Sequence, residues 1–310
     1  MRVHKFYFVL AALLLLASFA PAATPTFFTS MDDPSGVAAT QYNLYATEYC
    51  GDQTHVFSID PAGNKSIFAT LPGTGGGCLE KYIAIAPGLG GFPPNYLYIT
   101  QGRQIIQVSA DGTNVSVFTT IPGLPPSSAN GITFDRLGNF GYNMLVTGFD
   151  GNIWQVNAAG QATLLANIPT HVEGPAVAPS NFAPYGGQLM VAAEDANQVY
   201  AVTPAGGVNT VGSWVGSEYV NFVPSASCEY STSGGGYFTV TYPDPSGNTG
   251  IYKFPASDFA GLSDNAIVPS EKSGGMGLFT STGSGISTST FQTDIGVQEG
   301  SGFVDCAAPF

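Results

Sequence analysis

The sequence predicts an all-β protein, a single six-bladed β-propeller whose ring is closed by an N-terminal outer strand. Short β-rich segments recur along the chain at a period of about 45–50 residues, which is typical of propeller blades. Each repeat has room for four short strands, the number in one blade. No helical periodicity runs beyond the N-terminal segment, so a helical solenoid is excluded.

The period is clearest in one strand and the turn that follows it. Four segments align without gaps, and each is a β-rich strand followed by a turn that ends in glycine: residues 56–63, 105–112, 153–160 and 199–206. The last glycines of these segments, Gly63, Gly112, Gly160 and Gly206, are 49, 48 and 46 residues apart. Residues 251–254 and 302–305 then predict a fifth and a sixth repeat.

Two more strands precede this strand in every repeat. The first strands are predicted at residues 36–39, 82–85, 131–134, 175–178, 220–223 and 277–280. The second strands are predicted at residues 44–47, 97–100, 144–147, 189–192, 238–241 and 295–297. A fourth strand follows the turn, as in residues 66–70. A β-sandwich would also supply many strands, but not this regular unit of four.

The sixth repeat ends after its third strand, near Cys306, and so lacks an outer strand. A sheet with a missing outer strand has an exposed edge, which promotes aggregation. Residues Thr26–Ser30 form a spare β-rich segment near the N-terminus. We therefore expect Thr26–Ser30 to pair with the last repeat as its outer strand.

Residues 1–22 have the pattern of a secretory signal peptide. Arg2 and Lys5 precede an apolar run over residues 6–20, and small residues flank the expected cleavage site at Ala22. The alternative is a membrane anchor, but a span needs roughly 20 apolar residues. We expect one mature domain, residues 23–310, that is secreted, periplasmic or otherwise extracellular and not inserted in a membrane.

Four cysteines in an exported chain predict two disulfides. The alternative, a zinc site, lacks a C-x-x-C motif and nearby histidines. The predicted strands place Cys50 and Cys78 on loops at one face of the propeller, and Cys228 and Cys306 on loops at the other. The sequence therefore predicts the pairs Cys50–Cys78 and Cys228–Cys306.

Charge limits the class of partner. Apolar residues make up 44% of the chain, enough for a core, whereas only 9% of residues are charged. Once Arg2 and Lys5 leave with the signal, six basic residues remain against 21 acidic ones. Such a protein repels phosphate backbones and anionic lipids, so nucleic-acid partners are disfavoured. Cations, neutral sugars or basic proteins fit better.

Acidic residues gather where a propeller usually binds its ligands, in the loops of one face around the central axis. They stand at the entries to the first strands and between the second and third strands: Glu80, Glu173, Glu194, Glu218 and Glu299. Carboxylates that converge on one axis favour a divalent cation with oxygen ligands, such as calcium. The alternative is an acidic rim that is simply solvated.

Two strand entries resemble motifs of the gluconolactonase-like (senescence-marker-protein) propellers: His171-Val172-Glu173-Gly174-Pro175 and residues 130–135, Asn-Gly-Ile-Thr-Phe-Asp. The strand–turn–glycine units also resemble NHL-type repeats. The resemblance implies a divalent metal, usually calcium, held at the channel mouth by Glu173 and Asn130. Here the entry that would supply that family's catalytic Asp reads Glu218-Tyr219.

The predicted site therefore consists of three metal ligands, Glu173, Asn130 and Glu218. They occupy the same position in consecutive repeats, just before the first strand. Glu80 and Glu299 are expected as outer ligands, and Glu218 or His171 as the base if the protein is an enzyme. Three functions stay open: a secreted propeller that binds a sugar or protein ligand, a metal-dependent hydrolase, lactonase or lyase, and a structural surface protein.

Overall fold

The computed structural model describes residues 23–50, 54–73, 78–127, 130–226 and 228–306. These residues form 24 β-strands and two short 3-10 helices, Ser231–Ser233 and Ala256–Phe259. The signal peptide predicted for residues 1–22 lies outside the described residues. Within them, no helix is long and apolar enough to cross a membrane.

The first four predicted repeats are present as four consecutive antiparallel units that follow β1 (Thr26–Ser30). Unit 1 contains β2 (Pro34–Thr40), β3 (Leu44–Glu48), β4 (His55–Ile59) and β5 (Lys65–Thr70). Unit 2 contains β6 (Ile83–Ile85), β7 (Leu97–Gln101), β8 (Gln104–Val108) and β9 (Val115–Thr120). Unit 3 contains β10 (Ile132–Phe134), β11 (Met144–Thr147), β12 (Asn152–Val156) and β13 (Ala162–Asn167). Unit 4 contains β14 (Pro175–Val177), β15 (Leu189–Ala193), β16 (Gln198–Val202) and β17 (Val208–Ser213).

The glycine that marks each of these repeats has a conformational reason. Gly63, Gly112, Gly160 and Gly206 all have φ between 74° and 88°, a region that L-residues with a Cβ rarely adopt. The turn between the third and fourth strands therefore requires glycine, which is why the period is visible in the sequence.

The prediction for the fifth and sixth repeats is wrong. Unit 5 contains β18 (Asn221–Phe222), β21 (Ala266–Pro269), β22 (Met276–Ser281) and β23 (Ile286–Gln292). Unit 6 contains β24 (Val297–Asp305), β19 (Tyr237–Tyr242), β20 (Gly250–Phe254) and β1. The hairpin β19–β20 thus interrupts unit 5 in sequence, between β18 and β21, and pairs with the C-terminal strand instead.

The N-terminal strand is an outer strand, as predicted, but its partner differs. β1 pairs antiparallel with β20, with Thr26 opposite Lys253 and Ser30 opposite Gly250. It does not pair with residues 302–305, because these belong to β24, which lies between β19 and β2. A short parallel pairing of β24 with β2 joins units 6 and 1 into one eight-stranded sheet.

Apolar side chains fill the interfaces between units. Six buried clusters are found in the described residues, between units 1 and 2, 2 and 3, 3 and 4, 4 and 5, 5 and 6, and 6 and 1. The first strands also follow one another in space, because β2 contacts β6, β6 contacts β10, β10 contacts β14, β14 contacts β18 and β18 contacts β24. The sheets themselves are not hydrogen-bonded into one closed ring.

Candidate functional site

An acidic cavity of about 260 Å³ lies at one edge of the units. Its lining residues stand before first strands, after second strands or at the start of β24: Glu80, Phe149, His171, Glu173, Glu194, Asp195, Glu218, Glu271 and Glu299. In an antiparallel sheet, the start of one strand and the end of the next lie at the same edge. Side chains from distant parts of the chain are therefore brought together here.

Hydrogen bonds to neighbouring strands fix the backbone of Glu173 and Glu218, two residues whose carboxyl groups line the cavity. The amide N–H of Glu173 donates to Ala192 O at 2.9 Å, and that of Glu218 donates to Pro269 O at 3.1 Å. Gly174 lies so close to Tyr219 that a Cβ at this position would be 2.3 Å from Tyr219 Cγ. The glycine after Glu173 is therefore required for the close approach of units 4 and 5.

Exposure falls steadily from the mouth of the cavity to its base. The side chain of Asp195 is 64% exposed, whereas those of Glu194 and His171 are 13% and 8% exposed. Glu173 and Glu218 are buried, at 3% and 1% exposure. Buried carboxylates are costly unless they are protonated, hydrogen-bonded or paired with a cation.

Tyr82 lies at the base of the cavity and contacts three of its carboxyl groups. Its hydroxyl is 2.9 Å from Glu299 Oε2, 3.1 Å from Glu218 Oε1 and 3.5 Å from Glu80 Oε2. Burial and these carboxylates raise the pKa of Tyr82 well above its usual range, so the phenol keeps its proton. A single hydroxyl proton cannot satisfy three carboxylates.

Glu173 and Glu218 are both buried, and their carboxyl groups influence each other's pKa. Burial, followed by the charge of Glu173, raises the pKa of Glu218 well above its usual range. Burial also raises the pKa of Glu173 and of Glu299. The same repulsion that favours protons here would favour a bound cation.

Three carboxylates from two neighbouring units, units 4 and 5, could serve as metal ligands. Glu194, Glu218 and Glu271 each offer an oxygen, and these oxygens all lie within 4.8 Å of one another. Burial and the hydrogen bond to Glu194 raise the pKa of Glu271 to about 7. Burial would raise the pKa of Glu194 too, but hydrogen bonds with Glu271 and Lys272 lower it.

His171 adds a nitrogen to this set. Its Nε2 lies 2.6 Å from Glu173 Oε1, yet the contact lacks hydrogen-bond geometry, and Nε2 is a buried atom with no hydrogen-bond partner in the described residues. Burial lowers the pKa of His171, which keeps the ring neutral at neutral pH. A neutral, buried imidazole nitrogen that makes no hydrogen bond and lies beside a carboxylate fits the role of a metal ligand.

Four of the five carboxylate and amide ligands predicted from the sequence meet in this cavity: Glu80, Glu173, Glu218 and Glu299. His171 also lines it. Asn130 does not, because its buried side-chain amide donates to the carbonyl oxygen of Gly102. Sequence reasoning missed Glu271, which follows the unpredicted strand β21, and it also missed Tyr82 and Phe149.

A larger cavity of about 690 Å³ is lined mainly by apolar residues of the first strands, among them Val37, Ile83, Ile132 and Val177. The groups that can bind cations or transfer protons are concentrated in the smaller, acidic cavity. We therefore take the acidic cavity as the candidate functional site.

Both predicted disulfides are confirmed. Cys50 is bonded to Cys78, which lies two residues before Glu80, and Cys228 is bonded to Cys306 at the end of β24. Disulfides persist in oxidising compartments, so these two bonds favour an extracellular protein.

The metal-free protein should lose stability as the pH rises from 5 to 8. Four carboxyl groups have raised pKa values in the folded state: Glu173, Glu218, Glu271 and Glu299. Above the ordinary carboxyl pKa, the folded protein therefore binds more protons than the unfolded chain. This stabilisation is lost as the pH rises and the four groups ionise in the folded protein. Each titrating group contributes at most about 1.4 kcal/mol per pH unit. Thermal melts in chelator test this, and Glu271→Gln should flatten the slope. A melting temperature that rises over this range would contradict it.

The structure is similar to solved β-propellers. The propeller of a nidogen/laminin complex has a TM-score of 0.53 at 15% identity, over 87% of this chain and 84% of that one. A virginiamycin B lyase from Staphylococcus aureus, in a structure with quinupristin, has a TM-score of 0.50 at 14% identity, over 83% and 69%. A streptogramin B lyase has a TM-score of 0.50 at 14% identity, over 86% and 72%.

At these identities the similarity shows the fold alone: the chain has a β-propeller fold. No protein-family model matches the sequence. No curated protein sequence matches it either.

Proposed function

We propose that this chain is an exported six-bladed β-propeller that binds a divalent cation, calcium in the first place, in the acidic cavity. The observation that carries the proposal is the meeting of Glu194, Glu218 and Glu271, whose oxygens lie within 4.8 Å of one another. The buried His171 Nε2 on the same cavity lies 2.6 Å from Glu173 Oε1 but makes no hydrogen bond in the described residues, and this is a second indication of a ligand.

The six-bladed ring is supported by the packing of the units. Their first strands contact one another in the order of units 1 to 6, and β24 of unit 6 pairs with β2 of unit 1. A hydrophobic cluster fills each of the six interfaces between successive units. With β1 as its outer strand, unit 6 has four strands like the others.

Glu218 is the central ligand in this proposal, together with Glu194 and Glu271. Glu173, whose charge raises the pKa of Glu218 after the larger effect of burial, is a further ligand in this proposal. Asn130, which is bonded to Gly102, lies outside the set. Hard carboxylate oxygens favour calcium or magnesium, whereas participation of the His171 nitrogen would favour manganese or zinc.

Calorimetry on the chelator-treated mature chain tests the proposal, with calcium, magnesium, manganese and zinc titrated separately. We expect one of these cations to bind with a Kd below millimolar, and Glu218→Gln to weaken it at least about tenfold, because charged ligands dominate such sites. Glu229→Gln is the matched control, since Glu229 is an exposed residue that does not line the cavity. No binding below millimolar, or equal binding in Glu218→Gln, would refute the proposal.

A metal-dependent lyase or hydrolase is the second candidate, favoured by the carboxyl and imidazole groups that lie close together in the cavity. Glu173 and Glu218 are both buried in the cavity, and His171 Nε2 lies 2.6 Å from Glu173 Oε1. A bound cation would polarise a carbonyl of the substrate, and Glu218 or His171 would accept the proton. The test is turnover of a set of lactones and cyclic esters. Turnover that is lost in His171→Gln, while the number of bound cations is unchanged, would support this candidate. Absence of turnover with every compound of the set would reject it.

A further inference from the structure

Phe149 places an aromatic ring at the mouth of the acidic cavity, where apolar side chains are otherwise scarce. It is 55% exposed although it is a large hydrophobic residue. The turn that carries it is held by hydrogen bonds from Gly148 N to Asn152 O and from Gly151 N to Gly148 O. The ring is therefore presented by an ordered connection between β11 and β12.

One side of this ring is already occupied. The Phe149 and His171 rings have centroids 4.1 Å apart and planes inclined at 46°, and the buried His171 Nε2, which makes no hydrogen bond in the described residues, belongs to the same cavity wall. The rest of the Phe149 ring remains accessible to solvent and to whatever enters the cavity.

The mouth is rich in acidic groups. Seven carboxyl groups line the cavity, and the ammonium group of Lys272 lies 3.0 Å from Glu194 and 3.6 Å from Asp195. These contacts show that an ammonium group is accommodated beside the two carboxylates. An anionic ligand would be repelled there.

We infer that the mouth binds an organic cation, an alkylammonium or guanidinium head group held between the Phe149 ring and the carboxylates of Glu194 and Asp195. This inference rests on the proposed function and deepens it, because it names the class of ligand taken by the same cavity. An aromatic face attracts such a cation within about 6 Å. The cavity volume of about 260 Å³ admits a head group, while the rest of the ligand stays outside.

The head group can belong to a free amine or to a lysine or arginine side chain of a partner protein. Calorimetry on the full mature chain, with saturating calcium, distinguishes these sources with two pairs of probes. Nα-acetyl-lysine amide is compared with its Nε-acetylated, neutral counterpart. A short lysine-containing peptide is compared with the same peptide acetylated on lysine. Binding of the amide itself indicates that a free amine suffices, and binding of the peptide alone indicates a partner's side chain.

In either case we expect the charged probe to bind at least tenfold more tightly than its neutral counterpart. Phe149→Leu should weaken the charged probe by about two- to thirtyfold, the range of a cation–π contact, and Phe149→Tyr should restore most of the affinity. Tyr42→Leu is the matched control. Tyr42 is also 55% exposed, but it lies between β2 and β3, at the opposite edge of the units.

Equal affinity for charged and neutral probes, or unchanged binding in Phe149→Leu, would overturn the inference. The proposed function is measured separately, by calcium titration without a probe. Calcium binding without amine binding refutes the organic-cation subsite alone. Amine binding that persists in calcium-free protein, and is still lost in Phe149→Leu, supports the subsite even where the metal proposal fails.

Discussion

A chain that begins at Asp32 should melt about 10 °C or more below the mature protein. The truncation removes β1, the outer strand that covers β20, and leaves the β20 edge unpaired. It also removes Phe28, whose ring packs on Phe238 at 5.6 Å, and Met31, which is 3% exposed. The hydrogen bond from Thr29 to Gly63 O is lost as well.

The size of this effect follows from the two apolar side chains. Full burial of a Phe or Met contributes about 1.5–3 kcal/mol; Met31 is buried and Phe28 is partly buried, so Phe28 contributes less than this. In a domain of this size about 1 kcal/mol shifts the melting temperature by 2–4 °C. Phe28→Ala in the full mature chain is the matched variant and should reproduce only part of the decrease. If the truncated chain melts like the mature protein, β1 does not complete unit 6.

Replacing Cys228 and Cys306 by serine should destabilise the protein more than replacing Cys50 and Cys78. The bonds join residues that are 78 and 28 positions apart, and the chain-entropy model assigns them about 4.5 and 3.6 kcal/mol. Cys306 also fastens the end of β24, the C-terminal strand between β19 and β2.

Urea unfolding of the two double-serine variants and of the unaltered protein measures both effects under identical conditions. The midpoint should fall in both variants, and further in the Cys228/Cys306 variant. An equal or larger loss in the Cys50/Cys78 variant would contradict the view that the long bridge fixes the C-terminal strand in unit 6.

The first four units could be predicted strand by strand because their local pattern is complete. Each contains a turn whose glycine has positive φ, as at Gly63 and Gly206, so the backbone itself imposes the period. The strand bounds then follow from apolar residues between turns. Local sequence was sufficient here because every unit pairs with its own consecutive strands.

Units 5 and 6 could not be predicted, because their strands are not consecutive. Phe238 and Ile251 belong to strands with the same residue types as the earlier repeats, but those strands pair with β24 and β1 rather than with β18. A β-rich segment does not specify its partner strand, and pairing over a long sequence separation is decided by packing. The strand β21, and Glu271 that follows it, were missed for the same reason.

The candidate site was predicted in part. Glu173, Glu218 and Glu299 could be placed at one mouth, since the edge of a strand unit at which a residue lies follows from strand direction. Asn130 shows the limit of that reasoning, because its side chain turns to a nearby carbonyl oxygen. The position of a residue along a strand does not determine its side-chain direction when a closer hydrogen-bond partner is available.

A crystal structure of the mature protein grown with millimolar calcium, with manganese as an anomalous substitute, tests the central claim most directly. We predict one metal peak inside the acidic cavity, with an oxygen of Glu218 at roughly 2.3–2.6 Å for calcium and with Glu194 and Glu271 as further ligands. A cavity without metal at that concentration, or metal bound only at other sites, would contradict the account.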